Sequence, residues 1–378
     1  MAEQTLAARL EDAAEEQRVY AASQWQLMWW RFRKHTIAQI ALVVLFLFYS
    51  IAIFAEFMAT TETRIQDANR SYISPQPVHW FDGWKFSPHV FPVEGVRDPV
   101  SMKRVYSVNE EERIPLRFFA RGFEYKLFGI IPYDRHLIGV PEEYDAYEAI
   151  SLFGTDKQGR DLYSRLLLAV RVSMSIGLVG VALSLFLGVA LGGISGYYGG
   201  FMDTVIQRII EIVRSVPTIP LWMGLAASLP RDWSILKVYF AITIIISLFA
   251  WTELARVVRG RFLALREEDF VTAAELAGAS RTRIIFRHMV PSFLSHIIAA
   301  TTLAVPEMII SETSLSFLGL GLRPPAVSFG VLLEQAQNIQ TVALSPWLMI
   351  PAIPVIIVVL AFNFLGDGLR DAADPYGQ

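Results

Sequence analysis

Four acidic side chains, Glu211, Glu253, Glu307 and Glu312, sit in or beside long apolar runs. Hydrocarbon cannot solvate a charge, so an ionisable group at membrane depth must face a cavity or a partner. Glu307, beside Pro306, is the best placed to line a path, and Glu253 is a second candidate for carrying an ion. Glu312 is a gate candidate whose position better suits a structural role, holding the turn that follows it. His296 reads as a hydrogen-bonded interior residue. No set of nucleophile, base and orienting group is visible, so catalysis has little support. The six histidines lack metal-ligand spacing and the chain has no cysteine. Disulfides, thiol chemistry and Cys-ligated metal are therefore excluded, and no metal or cofactor is expected.

The segment Gly154-Thr155-Asp156-Lys157-Gln158-Gly159-Arg160-Asp161 has the glycine spacing of a phosphate-binding loop. Such a loop needs Lys on the phosphates and Ser or Thr on magnesium, between a buried strand and a helix. Arg160 and Asp161 occupy those two positions, and no apolar strand precedes them. Nucleotide binding is rejected here, so any energy from ATP has to come through another chain.

Of the 378 residues, 53% are hydrophobic and 18% charged. Together with a mean hydropathy of +0.40, that composition belongs to a polytopic membrane protein. A net charge of −3 argues for neither nucleic acid nor another charged partner. A helix needs about 20 apolar residues to cross the hydrocarbon. Six spans fit: 36–58, 172–198, 205–229, 235–257, 292–314 and 347–367. The expected fold is all-α, six transmembrane helices with a small extracytoplasmic insert. Residues 1–35 form a cytoplasmic or interfacial segment, 59–164 the insert, 165–368 a five-helix core and 369–378 a cytoplasmic tail. The first apolar run is long enough to span and follows a mixed-charge stretch, so it reads as a retained anchor. Trp25, Trp29, Trp30 and Phe32 beside Arg31, Arg33 and Lys34 suit a helix lying at the lipid headgroups. The insert, rich in Pro and aromatics (Trp80, Phe81, Trp84, Phe86, Phe91, Pro92), reads as a small domain rather than a linker.

Short loops rich in Arg and Lys stay inside. Arg256, Arg259, Arg261, Arg266, Arg281, Arg283 and Arg287 lie around the loop between spans four and five, against Arg323 alone between spans five and six. Both termini and the four–five loop are thus placed in the cytoplasm. That loop, 258–291, reads as two helices. Glu267, Glu268 and Asp269 suit a helix N-terminus. Phe270, Ala273, Ala274 and Ala277 share one small apolar face, and Gly278 suits a left-handed stop. Ser280 can cap a second helix running past Arg281, Arg283 and His288 to Pro291. A short surface helix with a small apolar face suits docking into a groove. Span two carries small residues at a period of four: Gly180, Ser184, Gly188, Gly192, Gly196 and Gly200. Such a ridge implies tight helix packing in lipid, against this chain or a second subunit.

The chain resembles the inner-membrane permease subunits of ATP-binding-cassette importers, in the dipeptide/oligopeptide class. The resemblance covers about Phe153 to Tyr376 and the first span. It rests on Phe153-Gly154-Thr155-Asp156 with Gly159-Arg160-Asp161-Leu162, and on Ala273-Ala274, Gly278 and His288-Met289-Val290-Pro291 at the spacing of the "EAA" loop. Glu312 to Gly321 followed by Pro324-Pro325, and Asp367-Gly368-Leu369-Arg370-Asp371 with Asp374-Pro375, complete it. Thr272 stands where the loop's namesake Glu would be, and the insert is longer than the class usually carries. The resemblance implies a type I importer permease in a bacterial inner membrane, itself hydrolysing nothing. It also implies a homologous second permease, two cytoplasmic ATPases and an extracytoplasmic solute-binding protein. The Glu268–Pro291 segment becomes the expected ATPase contact. The cargo would be a peptide, or in related systems an oligosaccharide, opine or peptide antibiotic. A stand-alone secondary transporter using Glu307 or Glu253 is the alternative, but the spans show no repeated halves. An enzyme or anchor built around the insert has least support.

Overall fold

The computed structural model describes residues 23–97, 99, 104–230 and 232–373. Residues 1–22 and the tail from Asp374 lie outside them, and so does the Asp374-Pro375 signature. Helix α1 (Gln24–Phe32) starts at a capping box, in which Ser23 Oγ accepts from the Gln26 amide and the Gln26 side chain accepts from the Ser23 amide. Trp25, Trp29 and Trp30 stay exposed, while Phe32 packs on Ala38 and Ala372. Helix α2 (Thr36–Ile53) is the first span, and after a break at Phe54 a single turn, Ala55–Met58, leads into the insert.

The insert is built from strands, which the helical expectation did not include. Among the described residues it has β1 (His79–Asp82), β2 (Lys85–Val90), β3 (Val93–Arg97), β4 (Arg104–Val108), β5 (Ile114–Pro115), β6 (Arg117–Leu127) and β7 (Ile131–Gly139). They form a three-stranded sheet β1-β2-β5 and two antiparallel pairs, β3-β4 and β6-β7. A small core of Val90, Ile114, Leu116, Val140, Ala149 and Ile150 holds the insert together.

Helix α3 (Leu162–Tyr198) starts ten residues before the expected span, because Asp161 caps it by accepting from the Ser164 amide. At 37 residues it is about 55 Å long, well beyond the roughly 30 Å hydrocarbon core. The third expected span is not one rod. It is α4 (Gly200–Ser215) and α5 (Thr218–Ala227), bent by 84°. Pro217 lacks an N–H and pushes Val216 into extended geometry, φ −91° and ψ 132°, which ends a helix there. Helices α6 (Ile235–Leu265), α7 (Asp269–Leu276), α8 (Leu294–Phe317) and α9 (Ala352–Ala373) follow.

The small-residue ridge of α3 finds its partner inside this chain. Gly180 backs onto Ser247, Ser184 Oγ donates to the Ser247 carbonyl at 3.3 Å, and Gly188 faces Leu254. Gly192 faces Ala255, and Gly196 faces Phe262 and Arg259. Positions on α3 and α6 rise together, so the two helices run parallel. The chain must therefore return across the bundle between them, which makes the bent α4–α5 pair the sixth crossing. Gly200 is not part of the ridge. Helix α3 ends at Gly199, and Gly200 opens α4 at φ +54° with no atom within 4 Å of a Cβ built on it. The bidentate pair of Asp203 with Arg259, at 2.5 and 2.7 Å, ties α4 to α6.

A side chain at Gly192 would run into the Ala255 backbone. Gly192→Val is expected to cost about 1–3 kcal/mol, read as a lower unfolding temperature in detergent. Gly260→Ala, on the open side of α6, is expected to be neutral or slightly stabilising.

Candidate functional site

Helix α7 packs at the end of the bundle that carries the arginines. Val271 is its buried anchor, inserted among Tyr197, Val258, Phe262, Ile284 and Met289, with Ala274 partly packed beside it. Phe270, Thr272, Ala273, Leu276 and Ala277 remain exposed, Leu276 at 86%. The apolar face read from the sequence is thus split. Ala274 turns inward with Val271, and Phe270, Ala273 and Ala277 are presented outward.

The end of α7 follows from its sequence. The Ala279 amide donates to the Ala274 carbonyl at 3.0 Å and the Gly278 amide to the Glu275 carbonyl at 2.9 Å. This is the paired closure that needs a left-handed residue, and Gly278 supplies it at φ +74°. Tyr197 Oη donates to Glu275 at 3.1 Å, and the Arg281 guanidinium lies 5.4 Å over the Tyr198 ring. Glu268 is the N-cap residue without a side-chain bond, and Asp269 lies in the first turn. Ser280 accepts from the Arg283 amide, starting a helix that widens to a π turn over Ile284–Met289 before Pro291. His288 is half-buried on that turn, and Pro291 is exposed at its end.

Glu312 is fully buried in α8 and faces three serines. Its Oε1 accepts from Ser316 Oγ at 2.7 Å and its Oε2 from Ser173 Oγ at 3.2 Å, with Ser328 a third hydroxyl partner. Ser316 Oγ accepts from the Leu322 amide at 2.9 Å and Ser173 Oγ from the Phe329 amide at 3.2 Å. The carboxylate therefore organises the returning segment 318–333 and its short helix Phe329–Leu333 against α3. Glu307 and Glu253 lie elsewhere, exposed on α8 and α6 and close enough to interact electrostatically. Glu253 pairs with Arg214, and Glu211 with Arg208 at 2.7 Å.

The glycine-spaced loop closes on a carboxylate of its own. Asp156 accepts from the Gln158 and Arg160 amides at 2.8 and 3.0 Å, and from the side chains of Arg160, Arg165 and Gln335 at 2.7, 2.9 and 3.2 Å. Trp347 Nε1 donates to the Thr155 carbonyl at 3.0 Å. The loop clasps the base of the insert to the segment before α9. Burial pushes the Asp161 carboxyl up, while bonds from Ser164 and Thr61 favour its charged form.

Residues 188–376, half of the chain, match the family described as binding-protein-dependent transport system inner membrane component. The chain belongs to this family. Residues 23–75 of the permease also match the N-terminal TM domain of oligopeptide transport permease C. The oligopeptide transport system permease protein OppC of Haemophilus influenzae is 40% identical over 229 residues, 60% of this permease and 71% of that protein. The dipeptide transport system permease protein DppC of Lactococcus lactis is 40% identical over 261 residues, 66% of this chain and 74% of its own. The glutathione transport system permease protein GsiD of Pectobacterium atrosepticum is 34% identical over 254 residues, 65% and 80% of the two chains. Among solved structures, the inward-facing MetNI methionine ABC transporter aligns with a TM-score of 0.43 at 18% identity, covering 55% of this chain and 96% of that one.

The permease is a multi-pass membrane subunit of an ATP-binding-cassette importer, with relatives that are transport components and not enzymes. Membership implies an ATPase, a substrate-binding partner and a second permease. Several structural residues of the permease escaped the sequence reading. Val271 was hidden because its neighbours Phe270 and Ala273 gave the helical period. Ser173 was hidden because it lies 139 positions from Glu312. Ser316 was within reach, since a serine four residues after a buried acid on a helix faces it.

Proposed function

We propose that this permease forms half of the path by which an ATP-driven importer takes up peptides, with α7 as the contact through which a cytoplasmic ATPase drives it. The observation that carries the reading is the stance of α7, anchored by Val271 and open to solvent at Phe270, Ala273, Leu276 and Ala277. A short helix held this way offers a rigid apolar face to a groove. The arginines gathered at the same end of the bundle support a cytoplasmic location for α7 and both termini, with the insert outside. His35, 3.0 Å from Asp371, brings the two ends of the described chain together. The second permease would cover the face that carries Glu253 and Glu307. The peptide cargo rests on relatives named for oligopeptide, dipeptide and glutathione transport.

Co-purification with its neighbouring gene products tests the assignment. In liposomes the complex should import peptide carried by the adjacent solute-binding protein, with ATP hydrolysis that rises when loaded binding protein is added. Uptake by this chain alone, driven by a proton or sodium gradient, would reject it.

The insert serves, in this reading, as the surface that receives the solute-binding protein. Its β1–β2 hairpin displays Trp80, Phe81, Trp84 and Phe86, with Trp84 wholly exposed. Aromatic anchors carry a large share of binding energy in protein contacts. Replacing Trp80 and Trp84 together by Ser is expected to weaken the apparent affinity of the binding protein in stimulation by roughly a hundredfold or more, since such anchors contribute about 2 kcal/mol each. Assembly with the other subunits should be unaffected, as measured by gel filtration.

A further inference from the structure

The β6–β7 hairpin ends in a turn without a polar side chain. From Leu127 to Pro132 the chain reads Leu-Phe-Gly-Ile-Ile-Pro. Turns that face water draw on Gly, Asn, Asp and Ser, as the β1–β2 turn does with Asp82-Gly83. Here Phe128, Ile130 and Ile131 are 55%, 81% and 52% exposed. Phe128 adopts φ +55°, a conformation bulky residues rarely take.

The place of this turn says what it meets. The Phe128 ring lies edge-on to Phe54, 5.6 Å between centroids, and Phe119 lies 6.0 Å from Phe57. Phe54 is the residue that ends α2. With 18 residues, α2 is about 27 Å long, close to the hydrocarbon thickness of about 30 Å. Its end therefore marks the edge of the hydrocarbon. Val43, Phe46, Leu47 and Ile53 on α2 are exposed, so the apolar turn continues a surface that already faces lipid. The order of the two ring pairs sets the direction. Phe119 meets the later residue, Phe57, and Phe128 the earlier one, Phe54, so the hairpin descends toward the bilayer as it approaches its tip. His136 fixes it there: its two ring nitrogens lie 3.0 Å from the carbonyls of Glu56 and Phe123, and its single N–H donates to one of them. Gly122 leaves the space that the imidazole fills.

We propose that the β6–β7 tip is a lipid anchor, placing Phe128, Ile130 and Ile131 at the boundary between headgroups and acyl chains beside α2. Aromatic and apolar residues are favoured at that depth. Lys126, exposed just before the turn, reaches the phosphates above it while its stem lies along apolar surface. The anchor holds the insert down on the bilayer instead of letting it stand clear.

The chain has no cysteine, so a single label reports one site. Ile130→Cys carries an environment-sensitive fluorophore in the full transporter in liposomes, with cysteines of the other subunits replaced. Trp84→Cys, at a fully exposed position on the other hairpin, is the aqueous reference, measured without the solute-binding protein. The Ile130 label is expected to emit to the blue of the reference, to lose intensity to lipids brominated high on the acyl chain, and to resist aqueous iodide. Iodide quenching equal to the reference overturns the proposal. Protection from both quenchers overturns it too, because it places another protein over the tip.

Discussion

Glu312→Ala is expected to release the segment 318–333 from the bundle and to lower the stability of the permease by about 3–5 kcal/mol. The figure combines roughly 1 kcal/mol for each lost hydrogen bond with the cost of a cavity in a packed interior. The effect is large because the carboxylate is the common acceptor for hydroxyls on three separate pieces of chain. Ser316 lies on the same helix, Ser173 on α3, and Ser328 caps the short helix Phe329–Leu333. Two of those hydroxyls in turn accept backbone amides, from Leu322 and Phe329. Without the carboxylate, each hydroxyl loses the acceptor that orients it toward its amide. Gly321 and Gly330 press so closely on Ser316 and Thr313 that the segment has little room to find new partners.

Glu312→Gln separates the role of shape from that of the acceptor. The amide keeps one oxygen for Ser316 but turns a donor toward Ser173, whose own hydrogen then goes unpaired. A loss of about 1 kcal/mol is expected, well short of the alanine variant. Hydrogen exchange at the Leu322 and Phe329 amides, with the unfolding temperature in detergent, distinguishes the cases. Glu312→Ala with both amides still protected and an unchanged unfolding temperature would show that Glu312 does not hold the segment 318–333.

The ridge and the hub show which features a sequence discloses. Five small residues from Gly180 to Gly196 fall on one line of α3 by the helical period alone, so close packing was legible. Their partner was not, because nothing in a period says which of several apolar helices lies opposite. Gly200 has the right spacing but follows the left-handed Gly199, so the helix that defines the line has already ended. Hydropathy located the third crossing and averaged away its bend, although Pro217 carries the reason for it. In the insert, aromatics and charges pointed to a folded domain without revealing strands. Pairings such as Arg117 with Gly139 in β6–β7 depend on register across a turn. Glu312 was legible as a buried acid with a structural task, and its partners were scattered along the chain. For α7 the sequence marked the element and its stop, while tertiary packing chose Val271 over Phe270 as the inward residue.

That choice opens the proposed ATPase contact on α7 to a clean test. Ala273 is exposed on α7, and Arg or Glu there keeps helix propensity close to that of Ala. The variant should fold with a stability change within about 0.5 kcal/mol. At a docked face, the same substitution forces a long charged side chain into an apolar groove. An unpaired charge in such a contact costs about 2 kcal/mol or more, and each 1.4 kcal/mol is about tenfold in affinity. Ala273→Arg and Ala273→Glu are therefore both expected to reduce substrate-stimulated ATP hydrolysis of the assembled transporter by about tenfold or more. Loss with either sign identifies steric and desolvation causes rather than attraction to one charge. Ala274→Arg differs, because Ala274 packs on the Val271 cluster, so it should lower the unfolding temperature along with coupling. Gly278→Ala meets no atom within 4 Å, yet it must hold φ +74°. Its cost is conformational, about 1 kcal/mol, and should loosen the end of α7 and weaken coupling only in part. Undiminished stimulation in both Ala273 variants would show that the exposed face of α7 is not where the ATPase pushes.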